Sequence, residues 1–94
     1  MLLWDENKRR QNLLSHGVDF ALLEQSFGLP MQTEEDKTYA YGEQRLRSIC
    51  WYYDRAVVVV WTPAGDNARI ISSWKANHCE TRKYLEEFSF PRSG

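Results

Sequence analysis

Three runs of strand-forming residues follow one another between Gln44 and Trp74 with very little chain between them. Gln44 to Tyr53 is rich in aromatic and branched residues, Ala56 to Trp61 is continuously apolar, and Ala68 to Trp74 carries Ile70 and Ile71. Such side chains pack well on a pleated, half-buried surface. Asp54-Arg55 is a tight connection and Pro63-Ala64-Gly65-Asp66-Asn67 a longer turn, both short enough that neighbouring strands pair as antiparallel hairpins. Ala56–Trp61 is then the buried middle strand, because a run without polar alternation has both faces covered.

Helices flank this block. Asp5 is placed to cap a helix running through Ser15 or His16, its carboxylate accepting from the free backbone N–H groups, and Gly17 suits the left-handed residue that ends it. Asp19 caps a second helix from Phe20 to Phe27, with Val18 stapled onto Leu23 and Gly28-Leu29-Pro30 stopping the run. Phe20, Leu23 and Phe27 form its core stripe, widened by Leu22, and the two helices make a hairpin. Met1 to Trp4 reads as a short strand, and polar Gln32 to Gly42 as a loop with a short edge strand. Asn77 and Glu80 have capping-box spacing ahead of a last helix that carries Thr81, Tyr84, Leu85 and Phe88 along one face. The expected fold is α+β: a small antiparallel sheet of three to four strands, an N-terminal helical hairpin and a C-terminal helix. One domain spans 1–94, with the tail at 89–94 flexible.

Composition narrows the function classes. Ninety-four residues suffice for one core, and 43% hydrophobic residues are enough to close it. Twelve Lys and Arg against 13 Asp and Glu give a net charge of -1, so any nucleic-acid site must be a local patch rather than a basic surface. Cys50 and Cys79 form no Cys-x-x-Cys pair, and His78 beside Cys79 has no ligand partners nearby in sequence, so no metal or other cofactor is expected. The longest apolar run is far short of the roughly 20 residues that span a bilayer, which points to a soluble, cytoplasmic protein without a membrane partner.

Side chains suited to phosphate chemistry are present. On the first helix Asp5, Lys8, Asn12 and His16 share one face, and Lys8-Arg9-Arg10 can track a phosphate backbone or simply be solvated. Arg45 and Arg69 come from different strands and can converge on one sheet face, where a guanidinium fork matches phosphate oxygens; each is as readily a strand partner of an acid. Metal-free RNA cleavage needs a base for the 2′-hydroxyl, charge stabilisation at phosphorus and an acid for the leaving 5′-oxygen. Glu43 can accept the proton, Lys8, Lys75 or His16 can supply charge or acid, and Tyr84 is a stacking platform, a donor or a core residue. Trp51, Trp61 and Trp74 can stack unpaired bases, though core positions are the commoner fate of Trp in so small a domain.

The string Trp4-Asp5-Glu6-Asn7-Lys8 through Asn12 to His16-Gly17-Val18, with Phe20 and Phe27, resembles the opening of BrnT-family toxins, the ribonuclease halves of bacterial type II toxin–antitoxin pairs. The likeness continues in order. Gly42-Glu43-Gln44-Arg45 is similar to the family's Gly-Glu-x-Arg, the valines at 57–60 to its central strand, Arg69-Ile70-Ile71-Ser72 to its Arg-Ile-Ile-Ser, and Glu80 and Tyr84 to its last helix. About residues 3 to 86 are covered. The resemblance implies a RelE-like fold, metal-independent cleavage of cellular RNA, and a cognate antitoxin that neutralises the toxin in a higher-order complex. It makes Arg45, Arg69, Glu43, Lys75 and Tyr84 the candidate catalytic residues, and Lys8, Arg9, His16, Arg47 and Trp74 the candidate RNA contacts. Ser73-Trp74 stands where the family usually has Ala-Arg, Ser15 replaces the usual Lys, and Leu29-Pro30 replaces Asp-Pro. The alternative function is therefore a non-catalytic relative that binds and inhibits or regulates another protein.

Overall fold

The computed structural model describes residues 1–36 and 42–88. Five strands form one mixed sheet in the order β1-β5-β4-β3-β2: β1 is Leu2–Leu3, β2 Gln32–Glu35, β3 Leu46–Tyr52, β4 Arg55–Ala64 and β5 Asn67–Lys75. The antiparallel β3–β4–β5 meander is as the sequence predicts, with β4 in the middle and Val57, Val58 and Val59 fully buried. The sheet exceeds the expected three to four antiparallel strands because both marginal segments join it. Leu2 and Leu3 pair with Ala68 and Arg69 in parallel, and Gln32–Glu35 forms an antiparallel edge on β3. Such short strands gain their stability from the neighbour's unpaired ladder, a contribution invisible to local propensity.

The second connection is tighter than predicted, and the first keeps its two-residue length but lies one residue earlier. β4 runs through Pro63 to Ala64, which pairs with Asn67, so only Gly65-Asp66 forms the second turn; Gly65 has φ 64, the left-handed backbone that glycine tolerates. Between β3 and β4 the two-residue loop is Tyr53-Asp54, where Tyr53 itself takes φ 57.

Helix α1 covers Glu6–His16, capped by Asp5 and ended by Gly17 at φ 70, as its sequence signals require. The second helix is different. Residues Phe20–Leu22 form a single 3-10 turn capped by Asp19, and α2 is only Glu24–Phe27, so the expected helical hairpin is one helix followed by two short turns. The turn at Leu23 lets Phe20 and Leu23 both point into the core, while Leu22, expected to widen the stripe, is exposed. With Val18, Cys50, Val57, Val59 and Ile70 these two side chains form the main core on one sheet face. Helix α3, His78–Glu87, starts with the expected capping box between Asn77 and Glu80. It covers part of the other face, above a smaller core of Ala56, Val58 and Ala76 flanked by Ile49, Trp51 and Trp74.

Helix α1 lies along the outer edge of β5, and one side chain fastens it there. β1 pairs with β5 only at Ala68 and Arg69. Farther along, the carboxamide of Asn12 takes the place of a strand: it accepts from the Ser73 N–H at 3.2 Å, donates to the Ser73 carbonyl at 2.8 Å, and donates to the Val18 carbonyl at 2.9 Å. The polar ridge read on α1 is thus divided among tasks, with Asp5 a cap, Asn12 buried, and Lys8 and His16 exposed. The expected flexible tail at 89–94 lies outside the described residues.

Candidate nucleic-acid interface

Alternation along β3 sends Arg47, Ile49 and Trp51 to the α3 side of the sheet, because their partners there are Val60, Val58 and Ala56. Arg45 lies one residue before β3 in the same alternation, and its carbonyl still accepts from the Asp36 N–H at 2.9 Å. On β5, Trp74 and Ser72 oppose Val58 and Val60 and so share this face. Arg69 is an odd number of residues from both, and strict alternation would put it on the opposite face. The register shifts between Val60 and Trp61, leaving Ile71 as the extra residue. This bulge brings Arg69, opposite Thr62, back to the face of Arg45 and Arg47.

At the centre of this face the side chains are connected by contact. The Arg47 guanidinium donates to Glu80 Oε2 at 2.7 Å and its Cζ lies 5.7 Å from the Trp74 ring centroid, a cation–π placement. The Trp74 ring in turn lies 6.5 Å from the His16 ring. Glu80 uses its other oxygen for the Asn77 N–H at 2.9 Å, so the start of α3 and the position of Arg47 are fixed by one carboxylate. Beside Arg47 is a hollow of about 440 Å³ lined by Gln32, Glu34, Ile49, Glu80 and Lys83. A shallower hollow of about 260 Å³ lies at the β5 edge between Lys8, His16 and Ser72.

The candidate residues separate accordingly. Arg45, Arg47, Arg69 and Trp74 share the face, with His16 against Trp74 and the exposed Glu43 in the bend before β3. Lys75 follows Trp74 on β5, opposite Val57, and is therefore directed to the other face. Tyr84 departs most from the expectation of a substrate contact: it is fully buried, stacked on Trp51 at 6.2 Å, and donates its hydroxyl to the Pro30 carbonyl at 2.8 Å. Arg9 is held in ion pairs with Glu6 at 2.6 Å and Asp19 at 3.1 Å, tying α1 to the 3-10 turn rather than standing free for phosphate. Trp61 packs edge-on against Phe27 on the core side, and Trp51 lies under Tyr84. In sequence Glu80 carries only a capping signal and Glu34 only a loop signal; the Arg47–Glu34 register pair exists because β2 joins the edge of β3.

Titration is perturbed mainly away from this face. The Arg9 guanidinium bonded to Glu6 lowers that carboxyl to about 2. Burial pushes the Cys50 thiol up to about 12 and also raises the Tyr84 hydroxyl. Among the described residues no group of three or more His, Cys, Asp or Glu could hold a metal ion, and no helix is long and apolar enough to cross a membrane.

Comparison with known proteins adds to the geometry. The chain matches the family model of the ribonuclease toxin BrnT of type II toxin–antitoxin systems over residues 4–80. It is also similar to the crystal structure of the Brucella abortus ribonuclease toxin BrnT, at 30% sequence identity and a TM-score of 0.63, with 82% of this chain and 96% of that chain covered. No curated protein matches it.

Proposed function

Because the chain belongs to the BrnT family of ribonuclease toxins of type II toxin–antitoxin systems, we propose that it cleaves cellular RNA without a metal, acts in the cytoplasm, and is neutralised by a cognate antitoxin protein in a higher-order complex. The observation that supports this reading best is the bulge at Ile71, which puts Arg69 on the sheet face of Arg45 and Arg47. Guanidiniums contributed from β3 and β5 to one face, across the central strand β4, suit a doubly charged phosphorane better than they suit a folded core.

In this reading Arg45 and Arg69 hold the scissile phosphate and stabilise the charge that grows on its oxygens. Glu43 takes the proton of the attacking 2′-hydroxyl. His16 protonates the leaving 5′-oxygen, with Lys8 beside it attracting the backbone. Arg47 and Trp74 contact the neighbouring nucleotide by charge and by stacking. Lys75 faces the wrong way for this task, and Tyr84 supports α3 from within the core, so neither is assigned a chemical step.

Incubation with a mixed single-stranded RNA in excess EDTA, beside an Arg45→Ala/Arg69→Ala double variant, tests the proposal. Cleavage by the natural chain that disappears in the variant is the expected result; equal cleavage by both would overturn the assignment. The second reading, a non-catalytic member that binds another protein, draws on Trp74, an apolar ring at the family's usual Arg position. An inactive chain that gains cleavage on Trp74→Arg would mark Trp74 as the loss of a ribonuclease's chemistry; one that stays inactive after that change would favour the protein-binding reading.

A further inference from the structure

We propose that the hollow beside Arg47 is a guanine subsite, with Glu34 as its specificity-determining residue; the inference rests on the RNA-cleaving reading above and names the base next to the cut. The hollow has an apolar floor in Ile49 and four charged groups around it, Arg47 and Lys83 as donors, Glu34 and Glu80 as acceptors. Its 440 Å³ is in the range of small-ligand sites.

Two of these groups are already engaged with each other. Glu80 has one oxygen on Asn77 N–H and the other on Arg47, so its acceptor capacity is directed inward. Glu34 stands opposite Arg47 across β2 and β3, yet among the described residues Arg47 pairs with Glu80 and not with Glu34. The hollow therefore offers a second carboxylate at one wall and cationic donors at Arg47 and Lys83, with the Arg47 guanidinium held in place by its cation–π contact with Trp74 at 5.7 Å.

A loose phosphate does not suit this lining, because two carboxylates offset the two cations and would repel it. A flat group carrying donors on one edge and acceptors on another does. Among the RNA bases guanine has that layout: its N1–H and N2–H groups can both be accepted by one carboxylate, and its O6 and N7 accept from Arg or Lys. Adenine presents an N6 donor where guanine has O6, and would meet the cations with the wrong sign. Uracil and cytosine lack the paired N1–H and N2–H donors.

Calorimetric titration of the whole chain with guanosine 5′-monophosphate and adenosine 5′-monophosphate isolates the base, since the phosphate and ribose are common to both. The guanine nucleotide is expected to bind about tenfold more tightly, a difference that Glu34→Gln, which keeps size and exposure, reduces to near equality. Equal binding of the two nucleotides, or a preference untouched by Glu34→Gln, overturns the subsite. Mapping of RNA cuts separates this from the parent reading: cleavage with no guanine bias defeats the subsite alone. Guanine-selective, Glu34-dependent binding by a chain that cuts nothing defeats the ribonuclease reading and leaves the subsite standing.

Discussion

Asn12 satisfies backbone that two other elements leave open. Its buried carboxamide takes three hydrogen bonds to main-chain atoms of Ser73 and Val18, and truncation strands those groups on the β5 edge. Asn12→Ala is expected to lower the unfolding free energy by about 2 kcal/mol, the scale on which buried polar groups lose their partners. Asn12→Asp should be no milder, because a carboxylate cannot donate to the two carbonyls. Urea unfolding should show a lower midpoint at unchanged slope. The cysteines give a second contrast. Cys50 is buried with its thiol held up near 12, while Cys79 is exposed on α3. One thiol per chain should react with a thiolate-seeking reagent under native conditions and two after denaturation; two fast native reactions would contradict the burial of Cys50.

Among the helices, α1 depends least on apolar packing. Leu13 and Leu14 are exposed, and the helix is held by Asn12 and by the Glu6–Arg9–Asp19 ion pairs. The Glu6 carboxyl is held near 2 in the fold against an ordinary value of 4.5. A lowered carboxyl stabilises the folded state above its unfolded value and loses that contribution as pH falls through its folded one. Its share of stability is therefore complete above about 4.5 and disappears towards pH 2. Glu6→Gln should flatten the acid limb of a stability–pH curve within that window and leave the curve above it parallel; because Glu6 is at the surface, added salt should shrink the difference. The start and stop of α1 were legible because caps are local: Asp5 and Gly17 act within one turn of themselves. The break after Leu22 was not, since Asp19 caps a 3-10 turn as well as it caps a helix and only burial of Phe20 and Leu23 chooses between them.

For the molecule as a whole, near-neutral composition conceals an uneven surface. Arg45, Arg47 and Arg69 gather on one sheet face, whereas Glu34, Glu35 and Asp36 follow the β2 edge. RNA binding should accordingly be salt-dependent through a few phosphates only. Removing both Arg45 and Arg69, which together hold the one scissile phosphate, is expected to reduce the slope of log affinity against log salt by about 0.7, the value for one phosphate contact on a single strand. An unchanged slope, measured by filter binding across a salt series, would place the phosphate path elsewhere.

The sequence by itself determined the β3–β4–β5 meander, the caps of α1 and α3, and the types of residue from which a site could be built, because each follows from hydrogen bonding or alternation over a few neighbouring residues. Tertiary structure alone decided which candidates share a face. One extra residue at Ile71 reverses the direction of Arg69, and the covering helix puts Tyr84 in the core, whereas the turning away of Lys75 follows from the strand alternation alone. The edge strands β1 and β2 were likewise settled by their partners, since the free energy of a short strand resides in the unpaired ladder it completes and not in its own side chains.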